Sequence, residues 1–286
     1  SIHVSAVDAC RCFGRVARLL VIEIVMTAFC ATTPDRAIAR RLYQPNLSAS
    51  SLLTRRLKRH LFAVDAHFDR VVALSFAFPE AIVQPLVPSG LTIDTHEGFA
   101  FVTVAMVWTR ALRPAGFPTA LGQSFFLAGY RVFTRLQEPN GRRLRGLRIL
   151  RSNTDQQRMV WAGNLFTDYR YRHVGVRVST TDRETTVVTE GREAGDALEV
   201  TFADPGGDVL LPVGSPFPDW KTARRFAGPM PFTFSPEDER TFIVIEGSRQ
   251  HWEPRPIEVT QWRVGFFDET PLRAATPILA NAFTVD

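Results

Sequence analysis

Lysine is nearly missing from this 286-residue chain, whose 34 basic residues include only two lysines, Lys58 and Lys221. Lysine is the side chain that forms a Schiff base with a carbonyl substrate, so its scarcity restricts that class of covalent catalysis. Cysteine is scarce as well, and the three cysteines all lie near the start of the chain: Cys10, Cys12 and Cys30. The rest of the chain therefore has no disulfide framework, and the first two cysteines lack the second close pair that is typical of a zinc site.

The motifs of several common enzyme classes are also absent. The sequence has no Gly-x-Ser-x-Gly before a helix, no Gly-x-Gly-x-x-Gly after a strand and no phosphate-binding loop. Nothing therefore indicates a hydrolase nucleophile elbow or a dinucleotide-binding fold. The six histidines form neither a His-x-His nor a His-Glu-x-x-His motif. We therefore expect no metal site and no cofactor.

Charge is distributed unevenly along the chain. Residues 1–60 carry ten basic and three acidic side chains, a net charge of +7, whereas the other 24 basic and 26 acidic side chains give residues 61–286 a net charge of −2. The content of 45% hydrophobic and 22% charged residues is typical of a globular protein. A nearly neutral body argues against a nucleic-acid partner, so that interpretation, like binding to an anionic membrane, rests on the basic N-terminal segment alone.

The N-terminal segment contains one apolar stretch, RLLVIEIVMTAFCATT, which Glu23 interrupts. Its apolar run is shorter than the roughly 20 residues that span a bilayer, so we expect no transmembrane segment and a cytoplasmic protein. Three interpretations of the stretch stay open: a signal peptide, a helix packed on the body, or sequence upstream of a start at Met26. We predict a basic, partly helical extension over residues 1–60 and a single domain over 61–286.

Strand patterns dominate the body. DRVVALSFAF and GFAFVTVAMVWT are apolar and β-rich, and GYRVFTRLQEPNGRRLRGLRIL predicts a hairpin that turns at Glu138–Gly141. RMVWAGNLF and YRYRHVGVRVST are predicted as two further strands, and short helices are predicted in PEAIVQPLVPSGLTID and DWKTARRFA. Since no βαβ spacing repeats, we predict a mainly β fold of the α+β class with largely antiparallel sheets.

Arg148 is the first candidate for a binding residue. On a strand it shares a face with apolar or small residues, which directs its guanidinium away from water. A buried positive charge needs an anionic partner. Two partners stay open: a ligand carboxylate held by two hydrogen bonds, or an internal salt bridge with Asp155 or Asp168.

The stretch WAGNLFTDYRYRH, residues 161–173, gathers polar side chains in a strand-like region. Alternation along a strand puts Arg170 and Arg172 on one face. It puts three ring side chains on the other face: Tyr169, Tyr171 and His173. Either face could supply proton donors and an anion-binding group. The alternative is structural, with tyrosines stacked on a neighbouring strand and arginines in solvent.

The order of several segments carries a family resemblance. PLVPSGLTIDTHEGFAFVTVAM, GYRVF, RRLRGLRILRSNTD, MVWAGNLFTDYRY and RQHWEPRPIEV resemble DUF2071, a family of uncharacterised bacterial proteins that is similar to the acetoacetate decarboxylase superfamily. The likeness covers roughly residues 62–286. It implies antiparallel sheets that curl into a cone or barrel around a central cavity.

The resemblance also bears on the chemistry. Acetoacetate decarboxylases use a Schiff-base lysine whose pKa a neighbouring lysine helps to lower. Aligning their Gly-Arg-Glu-like segment on Gly163-Asn164-Leu165 puts that lysine pair near Tyr171-Arg172. Neither residue is lysine, so the resemblance does not carry Schiff-base chemistry over to this chain.

The implied cavity nevertheless defines a set of candidate site residues. Four are predicted to bind substrate: Arg148, Arg172, Asn164 and Arg131. Four are predicted to be catalytic: Tyr171, Tyr169, Asp168 and His173. The predicted function is binding of an organic acid or related metabolite, or a lyase- or isomerase-type reaction without a Schiff base. The alternative is a non-catalytic structural or interaction protein whose barrel is filled by its own side chains, and the oligomeric state stays open.

Overall fold

The computed structural model describes residues 2–6, 58, 60, 62–207, 209–237, 241–249 and 252–286. Strands dominate these residues, as the apolar segments predict. The strands are β1 (Ile2–Ala6), β2 (Val64–Pro79), β3 (Leu91–Ile93), β4 (Thr95–His96), β5 (Phe99–Pro114), β6 (Gln123–Gln137), β7 (Arg143–Thr154), β8 (Tyr171–His173), β9 (Gly175–Thr180), β10 (Thr185–Glu190), β11 (Leu198–Ala203), β12 (Phe232–Pro236), β13 (Phe242–Arg249), β14 (Arg255–Pro256), β15 (Glu258–Val264) and β16 (Ile278–Val285). The α-helices are α1 (Glu80–Val83), α2 (Gln157–Phe166), α3 (Trp220–Ala227) and α4 (Gly265–Asp268).

The strands form two sheets. The large one has 12 strands in the order β14-β16-β2-β1-β13-β12-β7-β6-β5-β4, with β3 on β6, β8 on β7 and a further pairing of β2 with β5. The small one has four strands in the order β15-β11-β10-β9. Neighbours are antiparallel except that β7 pairs in parallel with β8 and with β12. The mainly β prediction is confirmed, and the curling into a cone or barrel that the resemblance implied stays a prediction.

Local turn signals are confirmed where the residues of the turn decide the geometry. β6 and β7 form the predicted hairpin, and Gly141 in its turn has φ of +86°. Glycine takes this left-handed conformation without the steric penalty of a side chain. The two predicted short helices are present as α1 and α3.

The segment RMVWAGNLF was predicted as a strand, and this prediction is wrong, because residues 157–166 form helix α2. The reason lies in the pairing that follows. Strand β8 lies parallel to β7, the strand that precedes α2. Parallel neighbours need a crossover that returns the chain to the other end of the sheet, and a helix is its usual form.

The alternation predicted for residues 169–178 is also interrupted. Arg170 has φ of +51°, β8 begins at Tyr171, and a break at Val174 separates β8 from β9. Arg170 is exposed and Arg172 half-buried, whereas Val174 is buried. A backbone that leaves the extended conformation loses the period of two, so these side chains do not share one face as predicted.

The main core lies between the two sheets. It joins alternate residues of β2, such as Leu74 and Phe76, to Val200 and Phe202 of β11. The other side of β2 carries Val71, Ala73, Ser75 and Ala77, and we call this side of the large sheet the small-residue face. Helix α3 packs on it through a cluster that joins Ala77 to its own alanines.

The N-terminal segment is described at residues 2–6 and at single positions near its end. Strand β1 pairs with both β2 and β13 of the large sheet. The predicted helices within 7–57 and the three cysteines lie outside the described residues, and the division at residue 60 stays a prediction. No helix in the described part of the chain is long and apolar enough to cross a membrane.

Candidate functional site

A row of four polar side chains crosses the small-residue face. Asn281 of β16 is paired with Ser75 of β2, Ser75 with Thr103 of β5, and Thr103 with Arg131 of β6. Residues directly opposite each other on neighbouring strands carry their side chains on the same face. The Ser75 Oγ and Thr103 Oγ1 atoms are 2.9 Å apart, so one hydroxyl donates a hydrogen bond to the other. We call these four residues the polar row.

The polar row separates two apolar clusters on this face. One cluster contains Ala73 and Ala105 together with Phe283, and the other contains Phe133 and Leu147. A pocket lies between them and is lined by side chains of both clusters. Two members of the polar row also line it, Thr103 and Arg131. Arg131 is the one charged side chain among the described residues of the lining.

Short side chains and a well-held helix end create this space. Ala73 and Ala105 leave room above the sheet, and residues 227–230, the last residue of helix α3 and the three that follow it, cover part of it. The start of α3 is capped by the Asp219 carboxylate, which accepts a hydrogen bond of 2.7 Å from the backbone N–H of Thr222. At its end, Arg145 donates a hydrogen bond of 2.6 Å to the carbonyl oxygen of Phe226. The helix therefore holds one wall of the pocket in place.

The predicted binding residue Arg148 is buried, as its position on β7 indicated. Its Nη2 donates a hydrogen bond of 2.8 Å to Oδ2 of Asp168. Of the two partners left open by the sequence, the structure thus has the internal salt bridge, and Asp155 instead accepts from the backbone N–H of Phe126 at 2.9 Å. Nε and Nη1 of Arg148 have no hydrogen-bond partner among the described residues.

Tyr169 and Tyr171 lie close together, with ring centroids 6.4 Å apart. The amide of Asn164 fixes the backbone of Tyr171, because it accepts from the Tyr171 N–H at 2.8 Å and donates to its carbonyl oxygen at 2.9 Å. Burial raises the pKa of Tyr171 to about 12, and the charge of Arg131 opposes that rise only in part. Burial also raises the pKa of Tyr169. Both hydroxyls therefore stay protonated at neutral pH and can donate hydrogen bonds.

The other two predicted residues lie elsewhere. His173 is exposed. Arg172 donates to Glu193 at 2.6 Å and to Asp196 at 3.2 Å. These contacts place Arg172 in an ion-pair cluster between the sheets rather than at the pocket.

The ion-pair cluster was missed by the sequence analysis. At its centre is Arg151, whose side chain is 5% exposed and whose Nη1 lies 3.8 Å from Asp196 and 3.3 Å from Glu269. The pKa of Glu269 is lowered, first by a hydrogen bond from the backbone N–H of Gly195 and then by Arg151. A shift in the β6–β7 register puts Arg151 opposite Tyr130 and Arg148 opposite Val132, so both arginines lie on one face despite their odd spacing.

Of the eight predicted site residues, Arg131 lines the pocket and the others do not. Ser75, Thr103 and Asn281 were not predicted from the sequence as site residues, although the strand pattern around Ser75 and Thr103 could have indicated them. Each is a small polar residue in an apolar strand, at positions that alternation puts with Ala73 and Ala105. Among the described residues no group of His, Cys, Asp and Glu side chains could hold a metal ion.

Comparison with known proteins identifies the family. The family model of DUF2071, described as an uncharacterized conserved protein, matches residues 65–285. The chain belongs to the DUF2071 family. This confirms the resemblance that the sequence segments carried. A comparison with curated proteins gave no match.

Several solved structures similar to this DUF2071 protein are named as acetoacetate decarboxylases or as an acetoacetate decarboxylase-like enzyme. The acetoacetate decarboxylase of Legionella pneumophila subsp. pneumophila str. Philadelphia 1 has 9% sequence identity and a TM-score of 0.52, over 97% of this chain and 94% of that one. An acetoacetate decarboxylase-like enzyme from Sphingomonas wittichii RW1 has 12% identity and a TM-score of 0.48, over 77% and 86%. At these identities the first likeness shows a shared fold and nothing about activity.

Proposed function

We propose that this protein binds a small organic acid in the pocket of the small-residue face, with Arg131 as its anion-binding group. The observation that carries the proposal is the single positive charge in a lining that is otherwise apolar or uncharged in its described part. A guanidinium can hold a carboxylate through two parallel hydrogen bonds. Such bonds are strengthened where apolar walls exclude water.

The neighbouring tyrosines preserve this charge. Arg131 is close enough to Tyr169 and Tyr171 to lower the pKa of each, yet burial holds both pKa values above 10. A protonated tyrosine does not neutralise the guanidinium. The two tyrosines therefore leave the charge of Arg131 unchanged at neutral pH.

Any reaction of the bound acid is proposed to proceed without a Schiff base. Both lysines are among the described residues, and neither lines the pocket, since Lys221 is exposed on α3 and Lys58 lies 3.9 Å from Asp168. The chemistry that remains is proton transfer of a lyase or isomerase type. The nearest predicted proton donors are Tyr169 and Tyr171, which lie outside the lining but close enough to Arg131 for its charge to act on them.

Calorimetric titration of the full chain tests the proposal. Acetate, hexanoate and benzoate are titrated into the unchanged protein, with the corresponding uncharged alcohols as ligand controls. Arg131→Met keeps an unbranched apolar side chain but removes the charge, and Arg142→Met removes a charge from an exposed turn. We expect Arg131→Met to weaken carboxylate binding about 10- to 100-fold, the effect of a hydrogen bond to a charged group, and Arg142→Met to have no effect.

Two outcomes would contradict the proposal. Absence of binding of all three carboxylates to the unchanged protein is the first. Equal carboxylate affinities of the unchanged protein and the folded Arg131→Met variant are the second, because the anion would then be held elsewhere.

A further inference from the structure

Gly129 lies in the middle of β6, which has β5 on one side and β7 on the other. It is buried and is paired with Ala105 of β5 and with Ser152 of β7. A glycine inside a strand weakens the strand, because it has no side chain to pack and loses more conformational freedom on folding than any other residue. Such a glycine often marks a place where another group comes close to the backbone.

The group that comes close to Gly129 is the guanidinium of Arg131. A Cβ atom at position 129 would lie 3.1 Å from Nε, 3.2 Å from Nη2 and 3.6 Å from Cζ of Arg131, and these are the three nearest atoms of the described residues. The first two distances are shorter than an ordinary van der Waals contact, so a side chain at position 129 would displace the guanidinium by a few tenths of an ångström. The absence of a Cβ atom therefore gives the guanidinium its place.

That place is next to the pocket. Ala105, the partner of Gly129 on β5, is itself paired with Ala73 of β2, and both alanines line the pocket. Residues directly opposite each other on neighbouring strands carry their side chains on the same face, about 5 Å apart. The guanidinium above Gly129 therefore adjoins the part of the pocket that has the shortest side chains.

We infer that Gly129 is a positioning residue, which holds the guanidinium of Arg131 beside the pocket by leaving the space above its own Cα atom free. The inference rests on the proposed function, since it concerns how the anion-binding group of that same site is held. Hydrogen bonds weaken steeply as their geometry departs from the optimum. A binding group has to be held within about 0.5 Å of its productive position, so a methyl group at position 129 impairs binding.

Gly129→Ala adds that one methyl group and tests the inference by ligand affinity. Hexanoate and the uncharged hexanol are titrated into the full chain by calorimetry. We expect hexanoate to bind about 3- to 10-fold more weakly, which is half, in free energy, of the effect of losing a hydrogen bond to a charged group, and hexanol to bind as before. Gly175→Ala is the control, because a Cβ atom on this glycine of β9 would meet the carbonyl oxygen of Glu190 at an ordinary 3.7 Å.

A second measurement needs no ligand. Arg131→Ala removes the three atoms that the new methyl group would meet, so in that background Gly129→Ala should raise the urea midpoint, as the lower conformational cost of alanine predicts. With Arg131 present, the same substitution should raise the midpoint less or lower it. The difference between the two shifts measures the contact between residues 129 and 131. If Gly129→Ala alone does not fold, recovery of a folded protein by Arg131→Ala supports the inference, and failure to recover it overturns the inference.

The outcomes separate this inference from the proposed function. Equal hexanoate affinities of Gly129→Ala and the unchanged protein, while Arg131→Met binds hexanoate more weakly, overturn the inference and leave the proposed function intact. Equal shifts of the urea midpoint with and without Arg131 also overturn it, because the methyl group would then act on a group other than the guanidinium. If hexanoate does not bind the unchanged protein, or binds without dependence on Arg131, the proposed function fails and the inference fails with it.

Discussion

Replacing Arg151 by methionine should destabilise this fold far more than the loss of an exposed arginine. Arg151 belongs to β7 of the large sheet, and its guanidinium reaches the turn that leads into β11 of the small sheet. There it donates to the carbonyl oxygen of Gly195 and pairs with Glu269 at 3.3 Å and with Asp196 at 3.8 Å. Its guanidinium carbon also lies 4.5 Å from the ring centroid of Phe266. One side chain thus links the two sheets.

The expected magnitude follows from what the substitution leaves behind. Removing one partner of a buried ion pair costs about 3–5 kcal/mol, because the remaining charge is left without compensation. Asp196 is 3% exposed but keeps Arg172 at 3.2 Å, so we expect a loss near the lower limit, about 3 kcal/mol. For a chain of this size, 1 kcal/mol shifts Tm by about 2–4 °C, so Tm should fall by about 6–12 °C.

Urea unfolding monitored by circular dichroism measures this loss, provided that the slope of the transition is unchanged. Arg177→Met is the matched control, since Arg177 forms an exposed pair with Glu190 at 2.7 Å. Such surface pairs contribute less than about 1 kcal/mol. The reasoning is refuted if Arg151→Met unfolds at the same urea concentration as Arg177→Met.

Two further substitutions probe the same region and helix α2. Because the folded-state pKa of Glu269 lies below its ordinary value of about 4.5, its contribution to stability is complete above pH 4.5 and is lost as the pH falls through the folded-state pKa. Between pH 7 and pH 3, the urea midpoint of Glu269→Gln should therefore decline less steeply than that of the unchanged protein. Parallel curves for the two proteins would contradict this expectation. Gly163→Ala should lower the free energy of unfolding by about 1–3 kcal/mol although alanine favours helix, because its Cβ would overlap the buried Tyr171 ring. Gly207→Ala, where the added Cβ meets no atom within 4 Å, is its control, and a stabilised Gly163→Ala variant would show that the ring moves aside at no cost.

Features that depend on neighbouring residues were predictable from the sequence. The turn at Glu138–Gly141 needs a residue with positive φ, and Asn-Gly indicates it directly. Burial of Arg148 followed from alternation along β7, and its partner was one of the two carboxylates named in advance. In both cases the signal and its consequence lie within about 20 residues of the chain.

Prediction failed where a distant pairing overrides the local pattern. The apolar content of residues 157–166 fits a strand as well as a helix. These residues form a helix because β7 and β8 are parallel neighbours, and the chain between them must cross back over the sheet. Arg172 was expected at the cavity, but its charge is held by Glu193 and Asp196 across a turn of the small sheet. Those carboxylates are brought to it by the packing of the two sheets, which no spacing in the sequence indicates.

Two kinds of information about the site can be told apart. The amino-acid sequence shows that neither Tyr171 nor Arg172, at the positions aligned with the decarboxylase lysine pair, is a lysine. It also places Ser75 and Thr103 among small residues on one side of their strands. Both statements hold for any arrangement of the strands, because side-chain identity and the period of two are local properties.

The polar row is different, since its members come from four strands far apart in the chain. Asn281, Ser75, Thr103 and Arg131 align because β16, β2, β5 and β6 pair in one particular register. A shift of one residue in any of these pairings would turn that strand's side chain to the opposite face. Register depends on long-range pairing and on irregularities such as the one between Leu279 and Asn281, so the folded sheet alone brings the charge, the hydroxyls and the amide together.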